Sequence, residues 1–170
     1  MMRIIGIDPG TICCGYGVVE SRGAARRDPA YVACGEIRMN RKDPLPERLK
    51  ILNDSLSAVI NEFRPSHLCI EKIFYHKSIR SALALGSTRG VALLLAAQSG
   101  IPVFEYNATE LKMALTGYGR AEKRQVQHMV KIILGLNSSK LSEDSTDALA
   151  LCICHINSFR AQELRGQQSI

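Results

Sequence analysis

Hydrophobic positions along the chain change period several times, and each change marks a different kind of element. Residues 3–8 (RIIGID) form a short apolar run ending in an acid, and residues 15–20 (GYGVVE) form a second. Runs this short, separated by Asp8-Pro9-Gly10-Thr11, predict two strands joined by a turn, the second returning antiparallel to the first. A third strand is expected at 30–39, beyond a basic loop at 22–27. The period then lengthens. Leu45, Leu49, Leu52, Leu56, Val59 and Phe63 recur at steps of three and four, which predicts an amphipathic helix over 44–63 ended by Pro65.

Residues 67–73 (HLCIEKI) read as a strand carrying a single acid among mostly apolar neighbours. A long helix rich in Ala and Leu is expected over 77–98, with little polar surface beyond Arg80, Arg89 and a few serines. After Gly100-Ile101-Pro102 comes a strand at 103–106, then helices at 108–115, 121–134 and 142–159. The tail 160–170 is polar and is expected to be disordered. Strands that come first as a meander and later alternate with helices predict one α/β domain over 1–159. Its sheet is mixed and covered by helices on both faces.

Composition narrows this only a little. Hydrophobic residues make up 46% and charged residues 22% of the 170, a globular balance for a chain that has room for one domain. Lys and Arg exceed Asp and Glu by 22 to 16, and a net charge of +6 suits a polyanionic partner without singling one out. The longest uncharged run, 90–104, is short and interrupted by Gly100 and Pro102, and residues 1–8 lack the pattern of a secretion signal. A soluble, cytoplasmic protein is the expectation. The six cysteines include no Cys-x-x-Cys pair and sit largely in apolar runs, so free, structural thiols are expected rather than zinc or disulfides.

The acids carry the candidate chemistry. Asp8 ends the first strand, and Glu71 interrupts an apolar one. Each could be a solvated strand end, although an ionised group on a central strand is costly unless paired or metal-bound. Asp144 and Asp147 fall three apart at a helix start, where they could cap the helix and favour its dipole, or could face a neighbouring strand together. Like charges about 4 Å apart repel by roughly 1 kcal/mol in water and about 4 kcal/mol at an effective dielectric of 20. Four converging carboxylates would therefore take up protons or bind divalent cations, and hard oxygen donors select magnesium or manganese. Two such ions can clamp a phosphodiester, which is nuclease chemistry.

Several blocks of the sequence join these acids. They are GIDPGT (6–11), GYGVV (15–19), HLCIEKIF (67–74), RGVALLLA (89–96), PVFEY (102–106), GYGRAEKRQVQHMV (117–130) and DSTDALALCICH (144–155). In order and over nearly the whole chain they resemble the RuvC-type Holliday-junction resolvases. That resemblance implies an RNase H-like fold with a five-stranded sheet and a homodimer. The implied activity is symmetric, paired nicking of strands of like polarity at four-way DNA junctions in recombination and repair, leaving 5′-phosphates and 3′-hydroxyls.

It also implies that Asp8, Glu71, Asp144 and Asp147 hold two magnesium ions, for which manganese substitutes, and that a branch-migration complex of the RuvAB kind is a partner. Lys112 and Lys123 match basic positions used for junction binding, Lys123 also for catalysis, and Phe74 matches an aromatic set against junction bases. A twofold dimer would need basic residues between its two sites, and Arg120 and Arg124 join the two lysines as candidates. Part of 77–98, with Gly86 and Gly90 on one face, is the expected dimer surface. His128 and His155 read as packing or hydrogen-bonding residues.

Three features depart from the family's usual pattern: Tyr75-His76-Lys77-Ser78 after Phe74, the Cys13-Cys14 pair beside the first strand, and a short, weakly basic tail. Other readings have specific obstacles. Gly-x-Asp-x-Gly-Thr also resembles the phosphate loop of actin-like ATPases and sugar kinases, which need a second similar domain. A non-catalytic scaffold need not have kept all four acids. A relative acting on RNA would not need the whole 117–130 block.

Overall fold

The computed structural model describes residues 1–22, 29–72, 79–136 and 140–167, with side chains as far as residue 162. Its elements are β1 (Met2–Asp8), β2 (Cys13–Ser21), β3 (Ala30–Arg38), α1 (Leu45–Phe63), β4 (His67–Glu71), α2 (Ile79–Gln98), β5 (Val103–Tyr106), α3 (Ala108–Thr116), α4 (Lys123–Leu134) and α5 (Glu143–Gln167). The five strands form one sheet in the order β3-β2-β1-β4-β5. Pairing is antiparallel across the meander, β1 with β2 and β2 with β3, and parallel from β1 to β4 and β4 to β5. This is the mixed α/β sheet that the order of elements predicts.

Strand alternation sorts the side chains into two cores. Ile5, Ile7, Cys14, Val18, Leu68 and Ile70 face α1 and α2, meeting Leu52, Leu56, Ala92 and Leu95. Ile4, Val19 and Cys69 face the other way, toward Val126 and Val130 of α4 and Leu149 and Ile153 of α5. Asp8 and Glu71 follow the parity of Ile4 and Cys69, so both belong to the α5 side of the sheet.

Glycines set how near α5 can come. Gly6 and Gly17 are cross-strand partners, and Gly15 opposes Asp8. A Cβ on Gly6 would lie 2.0 Å from the Ala148 carbonyl oxygen, and one on Gly15 would lie 2.1 Å from that of Asp144. The missing side chains let the helix backbone rest almost directly on β1 and β2. Asp144 and Asp147 are thereby brought down beside the end of β1.

Several boundaries differ from the sequence reading. The helix expected to stop at Phe159 continues to Gln167, because residues 160–165 (RAQELR) are good helix formers with no breaker among them. β4 ends at Glu71 instead of running on to 73. α4 starts at Lys123, since Glu122 takes the N-cap position and its backbone N–H donates to the Gln125 side chain at 2.8 Å. Arg89, read above as polar surface, turns inward, with its side chain 12% exposed. The cysteines are free thiols, four of them buried, as the apolar context predicts. Residues 23–27 of the basic loop, and Phe74 with the four residues that follow it, lie outside the described residues.

Candidate active site

Three of the four acids open onto one cavity. Asp8 from the end of β1, Glu71 from the end of β4 and Asp147 from the second turn of α5 line a space of about 180 Å³. Lys112 of α3 and Lys123 of α4 complete the polar lining, and Ala108, Leu111, Val126 and Leu151 form an apolar wall. Parallel strands β1 and β4 end side by side, which sets two carboxylates at one edge of the sheet; α5 adds the third from above.

The electrostatics follow from that crowding. Burial and then the charges of Asp147, Asp144 and Glu71 push Asp8 up to about 7. Glu71 is raised by burial and by Asp147. Burial also raises Asp147, against the opposing pull of Lys123, whose ammonium lies 2.9 Å from it and 3.2 Å from Glu143. Hydrogen bonding to Asp147 in turn raises Lys123. Lys123 thus acts on Glu143 as well as on the three carboxylates of the cavity, where the acids outnumber the two lysines.

Asp144 stands slightly apart. It is near enough to raise Asp8, yet its carboxylate belongs to a second group with Cys13 and Glu36, whose ligand atoms all lie within 4.8 Å of one another. The Cys13 thiol is pushed up to about 12, first by burial and then by its hydrogen bond to Asp144. Ser142 caps α5, its hydroxyl accepting from the Ser145 N–H at 3.3 Å and its carbonyl from Thr146 at 3.1 Å. With the cap supplied by Ser142, neither aspartate is needed for that task.

Cys13 and Glu36 were not legible as neighbours of Asp144. Their closeness depends on the β2–β3 register, in which Cys13 pairs with Arg38 and Gly15 with Glu36. Of the remaining basic candidates, Arg120 and Arg124 are exposed and stand outside the cavity lining. His128 is exposed on α4, which leaves the hydrogen-bonding rather than the packing half of the role expected of it. His155 is buried as expected, 2.8 Å from His67 and 2.7 Å from the Tyr106 hydroxyl. Burial, helped by His67, holds it down at about 4, so it is a neutral hydrogen-bonding residue beneath the site.

The donor set fits a hard divalent cation. Among the described residues three carboxylates and no imidazole line the cavity, and the carboxylates' mutual repulsion is what such an ion relieves. Asp8, Glu71 and Asp147 could hold it, with Asp144 at the margin.

Comparison with known proteins points the same way. The family model described as crossover junction endodeoxyribonuclease RuvC matches residues 4–155. A protein of that name from Desulfitobacterium hafniense is 45% identical over 165 residues, covering 97% of this chain and 98% of the relative. Another, from Pelotomaculum thermopropionicum, is 48% identical over 158 residues, covering 93% and 94%. Among solved structures, Thermus thermophilus RuvC in complex with a Holliday-junction substrate superposes with a TM-score of 0.88 at 31% identity, over 95% of this chain and 97% of that one.

Proposed function

The chain belongs to the crossover junction endodeoxyribonuclease RuvC family, and from that premise we propose that it resolves Holliday junctions through the carboxylate cavity. The observation that carries this reading is the convergence of Asp8, Glu71 and Asp147 on one cavity flanked by Lys112 and Lys123. Asp8, Glu71 and Asp147, with Asp144 beside them, hold two magnesium ions, and manganese substitutes. Bound there, the ions supply the Lewis acidity and the activated water that phosphodiester hydrolysis requires.

The chain's own residues orient and neutralise. Lys123 pairs with Asp147 and opposes its rise, and its exposed ammonium can turn to a phosphate that takes the place of Glu143. Lys112 offers a second cation on the same side of the cavity. The apolar wall keeps bulk water from the reacting phosphate and strengthens each charge interaction there. Products carrying 5′-phosphate and 3′-hydroxyl ends follow from this reading, as does a cytoplasmic site of action beside a branch-migration complex of the RuvAB kind.

The test uses a labelled four-way junction and a linear duplex of matched sequence, each in magnesium and in EDTA. Paired nicks confined to the junction, dependent on magnesium and sealable by a DNA ligase, are expected. Equal cutting of the duplex would reject the junction specificity.

A twofold dimer suits the substrate, since two equal sites related by a dyad can address two equivalent strands. On α2, Ile79, Leu83, Gly86, Gly90, Leu94 and Ala97 are all exposed at helical spacing, with Ile79 81%, Leu83 69% and Leu94 55% accessible. α2 is also the one described helix long and apolar enough to cross a membrane by length and composition. Its opposite side packs into the core through Thr88, Ala92, Leu95 and Ala96, and we assign the exposed stripe to a second copy. Leu83→Glu is expected to give monomers by sedimentation velocity; a dimer of unchanged affinity would move the interface elsewhere.

Arg120 and Arg124 belong to the DNA surface in this reading. Replacing both by alanine is expected to lower the log–log salt slope of junction binding by up to ~2, about 0.9 per lost phosphate contact. An unchanged slope would remove them from that surface.

A further inference from the structure

Arg89 is an inward-facing arginine on a helix whose other face is exposed and apolar. Its guanidinium crosses from α2 to the sheet and makes two bonds there. Nη1 donates to the backbone carbonyl of Glu71 at 2.7 Å, and Nη2 pairs with the Glu105 carboxylate at 2.8 Å. Glu105 is fixed on β5 opposite Ile70 of β4. The two arms therefore hold α2, β4 and β5 together at the sheet edge where the cavity opens.

The carbonyl that Arg89 grips belongs to the peptide group that follows Glu71. The N–H of the same peptide group, that of Lys72, donates to the Tyr106 carbonyl at 2.9 Å. This single peptide plane is thus held at both ends, by β5 on one side and by Arg89 on the other. Its orientation sets ψ of Glu71, and with it the direction in which the carboxylate leaves the strand. β1 offers no equivalent support, because its pairing with β4 ends at Ile70. Arg89 approaches from the α2 side of the sheet, while the Glu71 side chain faces α5.

We propose that Arg89 is a positioning residue for Glu71: by fixing the peptide plane at the end of β4 it aims the carboxylate into the cavity, and it links that aim to the α2 face assigned to the second copy. This rests on the reading of Glu71 as a metal-binding carboxylate. Arg89 is not among the residues that line the cavity. Its effect falls on how well the site takes up the cation. Gly86 and Gly90 of the exposed stripe lie within three residues of it on the same helix, so a shift of α2 against a partner would be felt at Glu71 first.

Manganese binding followed by electron paramagnetic resonance reads this directly, with junction cleavage over a magnesium titration as the second readout. In Arg89→Ala the manganese dissociation constant and the half-saturating magnesium concentration should both rise ~10- to 100-fold, the range seen when a group orienting a metal ligand is lost. Cleavage at saturating magnesium and junction binding in EDTA should stay within about twofold of the parent, since neither depends on the orienting bond. Arg89→Lys, which can keep one of the two bonds, should recover manganese affinity to within ~10-fold of the parent.

A merely structural arginine would lower the melting temperature and leave both metal midpoints where they were; that result overturns the proposal. Should Arg89→Ala fail to fold, Arg89→Lys and Glu105→Gln decide the matter, and parent-like midpoints in both would reject it. The outcome is separable from that of the resolvase reading. If the parent protein binds manganese but cuts no junction, that reading falls, while the shift in manganese affinity still tests the role of Arg89.

Discussion

Asp8→Asn is expected to abolish junction cleavage and, at the same time, to make the metal-free protein more stable at pH 8. Loss of activity follows from removing a carboxylate of the cavity, and should exceed the ~100-fold that loss of an outer orienting group can cost. The gain in stability follows from Asp8 being raised from 3.8 to about 7. A group whose folded pKa lies above its unfolded value contributes stability that is complete below the unfolded pKa. That contribution is lost as pH rises through the folded one, so for Asp8 the loss runs from about pH 4 to about pH 7. Each unit corresponds to about 1.36 kcal/mol; allowing for water in the cavity, roughly half of the full effect, or ~2 kcal/mol, is expected. For a chain of this length that is roughly 4–8 °C in Tm.

The histidine pair acts in the opposite sense. His155, held near 4 by burial, contributes stability that is present above about pH 6.5 and lost as pH falls through 4. Between pH 4 and 6.5 the two effects oppose each other, so the pH profile of the parent alone is uninformative. The difference between parent and variant isolates Asp8. Adding magnesium at pH 8 should stabilise the parent and close most of the gap. A variant less stable than the metal-free parent at pH 8 would mean that burial and the neighbouring carboxylates do not raise Asp8 as described.

The second large effect concerns the floor beneath α5. Gly15→Ala places a Cβ 2.1 Å from the carbonyl oxygen and 2.3 Å from the carbonyl carbon of Asp144. Backbone on both sides leaves nothing flexible to give way, so the first turn of α5 must lift off β2. A loss on the order of 3 kcal/mol is expected, at the upper end for overpacking. The folded fraction should also bind manganese more weakly, because lifting that turn moves Asp144 and Asp147 away from Asp8. Gly6→Ala meets the Ala148 oxygen at 2.0 Å, one turn farther along, and should cost similar stability with a smaller effect on metal affinity. Urea unfolding and manganese titration of both variants check this. Equal metal losses in the two would show that the helix moves as a rigid rod.

These two glycines show what was legible in the sequence. The strand–turn–strand beginning, the order of elements and the mixed sheet follow from period and punctuation, because alternation along β1 and β4 is regular and the turn residues are explicit. The acids stand out for the same reason, since Asp8 and Glu71 are the acidic members of mostly apolar strands. How close α5 approaches is not in the pattern: a glycine in a strand marks a close contact without naming the partner. Arg89 was misread because α2 is apolar nearly all round, and such a helix has no polar face to say which side is inward. Glu36 and Cys13 meet Asp144 only through strand register, which no local pattern encodes.

The existence of two adjacent acidic groups gives the central claim its sharpest test. Crystals of the protein soaked in manganese, with diffraction recorded at the manganese edge, should show anomalous density in the cavity between Asp8, Glu71 and Asp147, with carboxylate oxygens at about 2 Å from the ion. Density confined to the Cys13, Glu36 and Asp144 group, with the cavity empty at saturating manganese, would contradict the assignment of the cavity as the metal centre.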